Sequence, residues 1–151
     1  MKNIVSFFVV MVMSITTSFS QVFTIKISNV YGFQHSATMT TDMAMKTNSM
    51  VYTGGGTTEA KYVVNLNTMK VFYSNWKQQS VIELNISEIV KTKSILNINY
   101  TDTDGTPVSM IVDESVNPES GVMIFVRYNE MVNGTPKTIG WFSKNVDVTS
   151  E

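Results

Sequence analysis

Apolar and polar residues alternate along most of the chain from Val22 to Val148, with short polar interruptions. A period of two is the mark of a strand with one buried face. Val22–Tyr31 places Phe23, Ile25 and Ile27 on one face and Thr24, Lys26 and Ser28 on the other. Tyr62, Val64 and Leu66 share a face, a turn falls at Asn67 and Thr68, and Met69, Val71 and Tyr73 continue the alternation. Val81–Lys93 turns Ile82, Leu84 and Ile86 inward. Ile95–Thr101 does the same with Leu96, Ile98 and Tyr100, and Val108–Asp113 with Val108, Met110 and Val112. Asp102–Gly105 reads as a turn. The clearest unit is the last hairpin, Val122 to Val148, which reverses at Asn133-Gly134. Both turn residues tolerate the positive φ of a tight hairpin.

Other stretches are less regular. Gly32–Ser49 reads as one or two weakly patterned strands, with a helix as an alternative around Thr40–Lys46. Thr53–Thr58 contains Gly54, Gly55 and Gly56; three glycines together are costly to order, so this is expected to be the most flexible loop. Ser74–Ser80, with Trp76, and Glu114–Gly121 are polar connections. Eight or nine short strands joined by hairpin links define an all-β chain. The expected architecture is a small antiparallel up-and-down barrel of about eight strands, because closure removes exposed edges. A β-sandwich is the alternative. In size and meander the pattern resembles lipocalin and fatty-acid-binding barrels, in architecture only, since no signature motif of either family is present.

One strand departs from the one-faced pattern. Val122, Ile124 and Val126 lie on one side of the final hairpin's first strand, and Met123 and Phe125 on the other. An outer barrel face in water should not be apolar. Either another segment covers it, with Gly32–Thr58 the candidate, or it meets a partner.

The beginning of the chain has a different grammar. Lys2 precedes an apolar run, Ile4–Met13, and a polar stretch, Ser14–Ser20, with small residues Ser18 and Ser20 at its end. This is the pattern of a cleaved secretion signal, with cleavage expected before Gln21 and a single domain from 21 to 151. The leader resembles those of Gram-negative bacterial secreted proteins, which implies a periplasmic or extracellular location. The apolar run is too short for a stable membrane span. Removing Lys2 leaves ten basic and 12 acidic residues, scattered without a basic block, so nucleic acid and anionic membrane are not expected partners. There is no Cys, so the core must hold the fold without disulfides.

Few residues carry recognisable chemistry. The only His, His35, lies near Met39, Met43 and Met45, and soft thioethers with an imidazole suit Cu(I). Met43-Ala44-Met45 resembles the Met-x-Met pair of small periplasmic copper-binding β-barrels, which also use a His and a nearby Trp. In an extended segment the two sulfurs would share a face. The competing reading is Met packing, and apart from Cu(I) no cofactor is expected. One His, no Cys and no Gly-x-Ser-x-Gly elbow leave no hydrolytic triad, and His35 reads as a surface or loop residue. Asp102 and Asp104 read as turn formers and do not fit a calcium loop. Asp113 and Glu114 are a second carboxylate pair without a defined cleft. Gly54–Gly56 lacks the Lys and hydroxyl of a phosphate loop. Asn85, Asn99 and Asn133 open glycosylation-type triplets of low information.

The aromatic residues form the remaining set. Phe125, Tyr128, Trp141 and Trp76, with Arg127 on the Phe125 face, are candidate ligand contacts. They read either as packing or as the lining of a cavity in which Arg127 holds a carboxylate. Two non-enzymatic functions follow. One is an interaction or structural module acting through loops 53–58 and 114–120 and the apolar strand face on an unknown protein partner. The other is a binding protein for a small apolar or amphipathic ligand in a barrel cavity. The inward sets, rich in Ile, Val and Leu, favour the first.

Overall fold

The computed structural model describes residues 22–75, 80–113 and 122–150. The leader (1–20), the cleavage point at Gln21, Trp76 and the 114–120 loop lie outside the described residues. Eight antiparallel strands close a barrel in sequence order, with β8 pairing back to β1. They are β1 (Val22–Ser36), β2 (Val51–Asn65), β3 (Lys70–Asn75), β4 (Ser80–Lys91), β5 (Ile95–Thr101), β6 (Pro107–Asp113), β7 (Val122–Val132) and β8 (Thr135–Ser150). The up-and-down barrel expected from the alternation is therefore the observed fold. One short helix, α1 (Thr41–Lys46), lies between β1 and β2. Among the described residues no helix is long and apolar enough to cross a membrane.

The turns follow local chemistry. Asn133 (φ 50°) and Gly134 (φ 75°) form the β7–β8 reversal, with Val132 opposite Thr135. At the β2–β3 turn the Asn65 side chain accepts from the Asn67 and Thr68 amides. Met69 takes a positive φ of 55° there and belongs to the turn rather than to β3.

The interior is filled from one end. Ile25, Val64, Val71, Leu96, Ile98, Met110, Val112 and Ile124 are fully buried. Each such side chain stabilises the fold by about 1.5–3 kcal/mol on transfer grounds. These positions cluster towards the end that carries the β2–β3 and β4–β5 turns. The opposite end carries the β5–β6 and β7–β8 turns and the β1–β2 connection with α1.

Three expectations are corrected. The Gly54–Gly56 stretch is not a loop: it lies within β2, with Gly54 opposite Gly32, Gly55 opposite Tyr31 and Gly56 opposite Val30. Two of the glycines have a local reason. A Cβ on Gly55 would sit 3.0 Å from both the Tyr31 ring and the Val30 carbonyl, and Gly54 adopts φ 133° at a register shift. Second, β1 runs to Ser36, past the expected end at Tyr31. Third, His35 is neither loop nor surface; it is 2% exposed within β1. A register shift between Ile27 and Asn29 exchanges the faces of β1, so Phe33 and His35 lie on the outer wall.

That outer wall has its own apolar layer. Phe33, Phe125 and Phe142 form a second core, with Met50, Ile111 and Met123 against it. Phe33 meets Phe125 edge-on, with ring centroids 6.3 Å apart at 74°. The two-faced β7 strand is thus covered from within the chain, by Phe33 of β1 and by Met50 just before β2.

Candidate functional site

Above the filled floor the barrel opens into an aromatic cup. Five strands each contribute one ring: Tyr62 from β2, Tyr73 from β3, Tyr100 from β5, Tyr128 from β7 and Trp141 from β8. Alternation places them there. Tyr62 is the inward residue next beyond Val64, Tyr73 beyond Val71 and Tyr100 beyond Ile98, each one step towards the same rim. Tyr62 packs against Tyr73 at 4.9 Å between centroids and against Trp141 at 6.2 Å. Two adjoining clefts share Tyr62, Tyr73 and Trp141. One, of about 650 Å³, opens along the glycine-rich β1–β2 wall; the other, of about 390 Å³, reaches down to Leu84, Val108 and Val126. Volumes of this size accommodate a small organic ligand.

The polar atoms of the cup are few. Tyr62 and Tyr100 are 7% and 4% exposed. Neither hydroxyl has a hydrogen-bond partner among the described residues, and neither counts as a buried unsatisfied atom, so both reach the open space of the cup. Burial pushes the Tyr62 hydroxyl well above the usual tyrosine range, with Tyr100, Tyr73 and Asp102 adding to the rise. Burial raises Tyr100 too, reinforced by Asp102 and Tyr73. Both rings are therefore neutral phenols over the physiological range.

The rim is acidic. Asp102 lines the inner cleft, and with Asp104 and Glu130 it lines a neighbouring cleft that also shares Tyr128 and Val108. Asp102 accepts from the Thr103 amide at 2.7 Å. Asp104 accepts from the Thr106 amide at 2.8 Å, which holds its carboxyl below the ordinary value. Both are turn formers as the sequence implies, and Asp102 additionally faces the cup. Asp113 ends β6 at the far end of the barrel, and Glu114 lies outside the described residues.

The residues proposed from sequence as ligand contacts fall into two places. Tyr128 and Trp141 belong to the cup; Phe125 and Arg127 lie on the outer wall, Phe125 in the second core. Trp76 lies outside the described residues. Sequence reasoning about the cavity lining left out Tyr62 and Tyr100. The signal that finds them is the tyrosine one step rimward of each inward aliphatic run, since antiparallel strands bring those steps to one end.

Arg127, the chain's only arginine, and His35, its only histidine, meet at Thr41. The Arg127 guanidinium donates to the Thr41 hydroxyl oxygen. His35 Nδ1 lies 2.8 Å from the Ser36 carbonyl, an acceptor only, so Nδ1 carries the proton. His35 Nε2, 3.1 Å from Thr41 Oγ1, then accepts the Thr41 hydroxyl proton. The donor chain runs Arg127 to Thr41 to His35 to Ser36, and each member is satisfied. Burial lowers the Arg127 pKa, and among the described residues it has no carboxylate partner. Beside it a polar groove of about 480 Å³ runs under Ala37–Thr40, lined by Asn97, Asn99, Ser109 and Asn129.

Of the candidate copper ligands, Met43 and Met45 do not share a face. Met43 and Met45 lie on α1, where positions two apart are about 200° apart around the axis. They are 56% and 42% exposed, and both His35 nitrogens are engaged. The helix is capped by Thr40, whose hydroxyl accepts from the Met43 amide at 3.2 Å, and it docks through Thr41 and Ala44. No family model, curated protein or solved structure matches the chain.

Proposed function

We propose that this chain is a binding protein for a small amphipathic ligand, which enters the aromatic cup and rests on the aliphatic floor. One observation carries the reading: two tyrosines more than nine-tenths buried, neither hydroxyl with a hydrogen-bond partner among the described residues, line an open cavity walled by rings. A barrel built only as a scaffold gains nothing from that arrangement. Buried phenols ordinarily find a partner within the protein. A ligand that stacks on Trp141 and Tyr62 and hydrogen-bonds Tyr100 supplies one. The leader-like pattern of residues 1–20 supports a site of action outside the cytoplasm.

The test is titration with an uncharged naphthylamine dye that fluoresces in apolar surroundings. Saturable one-to-one binding is expected, weakened about tenfold or more by Trp141→Ala in a variant with unchanged circular dichroism. Absence of saturable binding, or equal affinity in the folded variant, overturns the reading.

A further inference from the structure

We infer that the ligand class is a small alkylammonium cation, held against the aromatic faces of the cup with the Asp102 carboxylate at its edge. This rests on the cup being a binding site and adds the sign of the ligand's charge.

Three independent features point the same way. The first is the lining itself. Five rings with electron-rich faces surround the space, and rings in this arrangement attract a cation through their quadrupoles, most strongly where water is excluded. The second is charge. Among the described residues the two clefts of the cup contain one ionisable carboxylate, Asp102, and no Lys, Arg or His. Asp104 and Glu130 extend the negative rim beside it. The third is where the cations have gone. The chain's one arginine is held by Thr41 on the outer wall, and Lys70 is paired with Glu83. An acidic ligand would meet a carboxylate and five ring faces with nothing to compensate its charge. A neutral ligand would gain nothing from the carboxylate's charge. The free phenol oxygens can accept from an N–H when the ammonium carries one.

The test compares choline with its uncharged isostere 3,3-dimethylbutan-1-ol, in which carbon replaces the ammonium nitrogen. Both are titrated into the full protein by calorimetry and in competition with the neutral naphthylamine dye. Choline is expected to bind about tenfold more tightly than the isostere. Asp102→Asn, which keeps the side-chain oxygen that caps the turn, is expected to shrink that preference to threefold or less. Equal affinity for choline and isostere overturns the cation assignment while leaving the cup as a binding site. So does failure of choline to bind or to displace a dye that itself binds. Failure of the dye, the isostere and choline together overturns both readings.

Discussion

Thr41 is the smallest group on which a large part of the outer wall depends. Its hydroxyl joins the chain's only arginine to its only histidine, and it is 4% exposed. Thr41→Val keeps the shape and removes the oxygen, leaving a half-buried guanidinium and an imidazole nitrogen short of a partner. The expected cost is about 2 kcal/mol, read as a lower urea midpoint at unchanged slope. A loss below about 0.5 kcal/mol contradicts the assigned donor chain. Gly140 is a second such residue. A Cβ there would lie 2.2 Å from the Val126 carbonyl and 2.9 Å from the Arg127 Cα, so β7 and β8 must separate to admit it. Gly140→Ala is expected to destabilise by about 3 kcal/mol or more, measured by thermal unfolding. A neutral substitution would mean that the two strands are less closely apposed. Neither role was legible in the sequence. Thr41 reads as an ordinary helix-start residue and Gly140 as one glycine in a strand, because the partners lie far along the chain.

At the scale of elements, what the sequence showed depended on whether the cause was local. The Asn133-Gly134 turn carries its own conformational demand, so the β7–β8 hairpin was readable from those two residues and their flanks. Gly54–Gly56 were misjudged because their entropic cost is visible in the sequence, whereas the crowding of Gly55 by Tyr31 and Val30 and the register shift at Gly54 are not. His35 was misplaced because the register shift after Ile27 reverses the faces of β1, and no local signal marks it. The apolar second face of β7 was legible as a demand for a cover, and Phe33 with Met50 supplies it. Phe33→Ala is therefore expected to cost about 3–5 kcal/mol although the residue lies outside the barrel interior. In contrast, Met43→Ala and Met45→Ala, both exposed on α1, should each change stability by less than about 0.5 kcal/mol. Chemical denaturation separates these cases, and a Phe33 cost as small as that of the methionines contradicts a second core.

For the whole molecule, a filled floor beneath an empty cup explains both the stability and the proposed binding. The aliphatic positions near one end close the barrel without disulfides, and the tyrosines at the other end give up packing for an accessible surface. The inward alternation named Tyr62, Tyr73 and Tyr100 as core. That they stop short of filling it depends on barrel closure and on which end each strand finishes, information held by the whole sheet. The tyrosine protons give a pH consequence. In the unfolded chain these phenols ionise near the ordinary value of 10.0, and in the folded protein Tyr62 and Tyr100 ionise above it. Between those values the unfolded state holds fewer protons, so the tyrosines' contribution to stability is level below about pH 10 and falls as pH rises past it. Absorbance titration of the native protein should show two tyrosines ionising only at the alkaline end, together with loss of structure. Normal ionisation of all six tyrosines in a folded protein contradicts the enclosed placement of these two.

The most direct measurement is nuclear magnetic resonance of the protein, with tyrosine and tryptophan rings labelled, titrated with the neutral dye. Intermolecular contacts are expected from the dye to the ring protons of Tyr62, Tyr100 and Trp141, saturating at one equivalent. Contacts confined to the Arg127 groove under Ala37–Thr40, or no saturable contact at all, would contradict a ligand-binding cup.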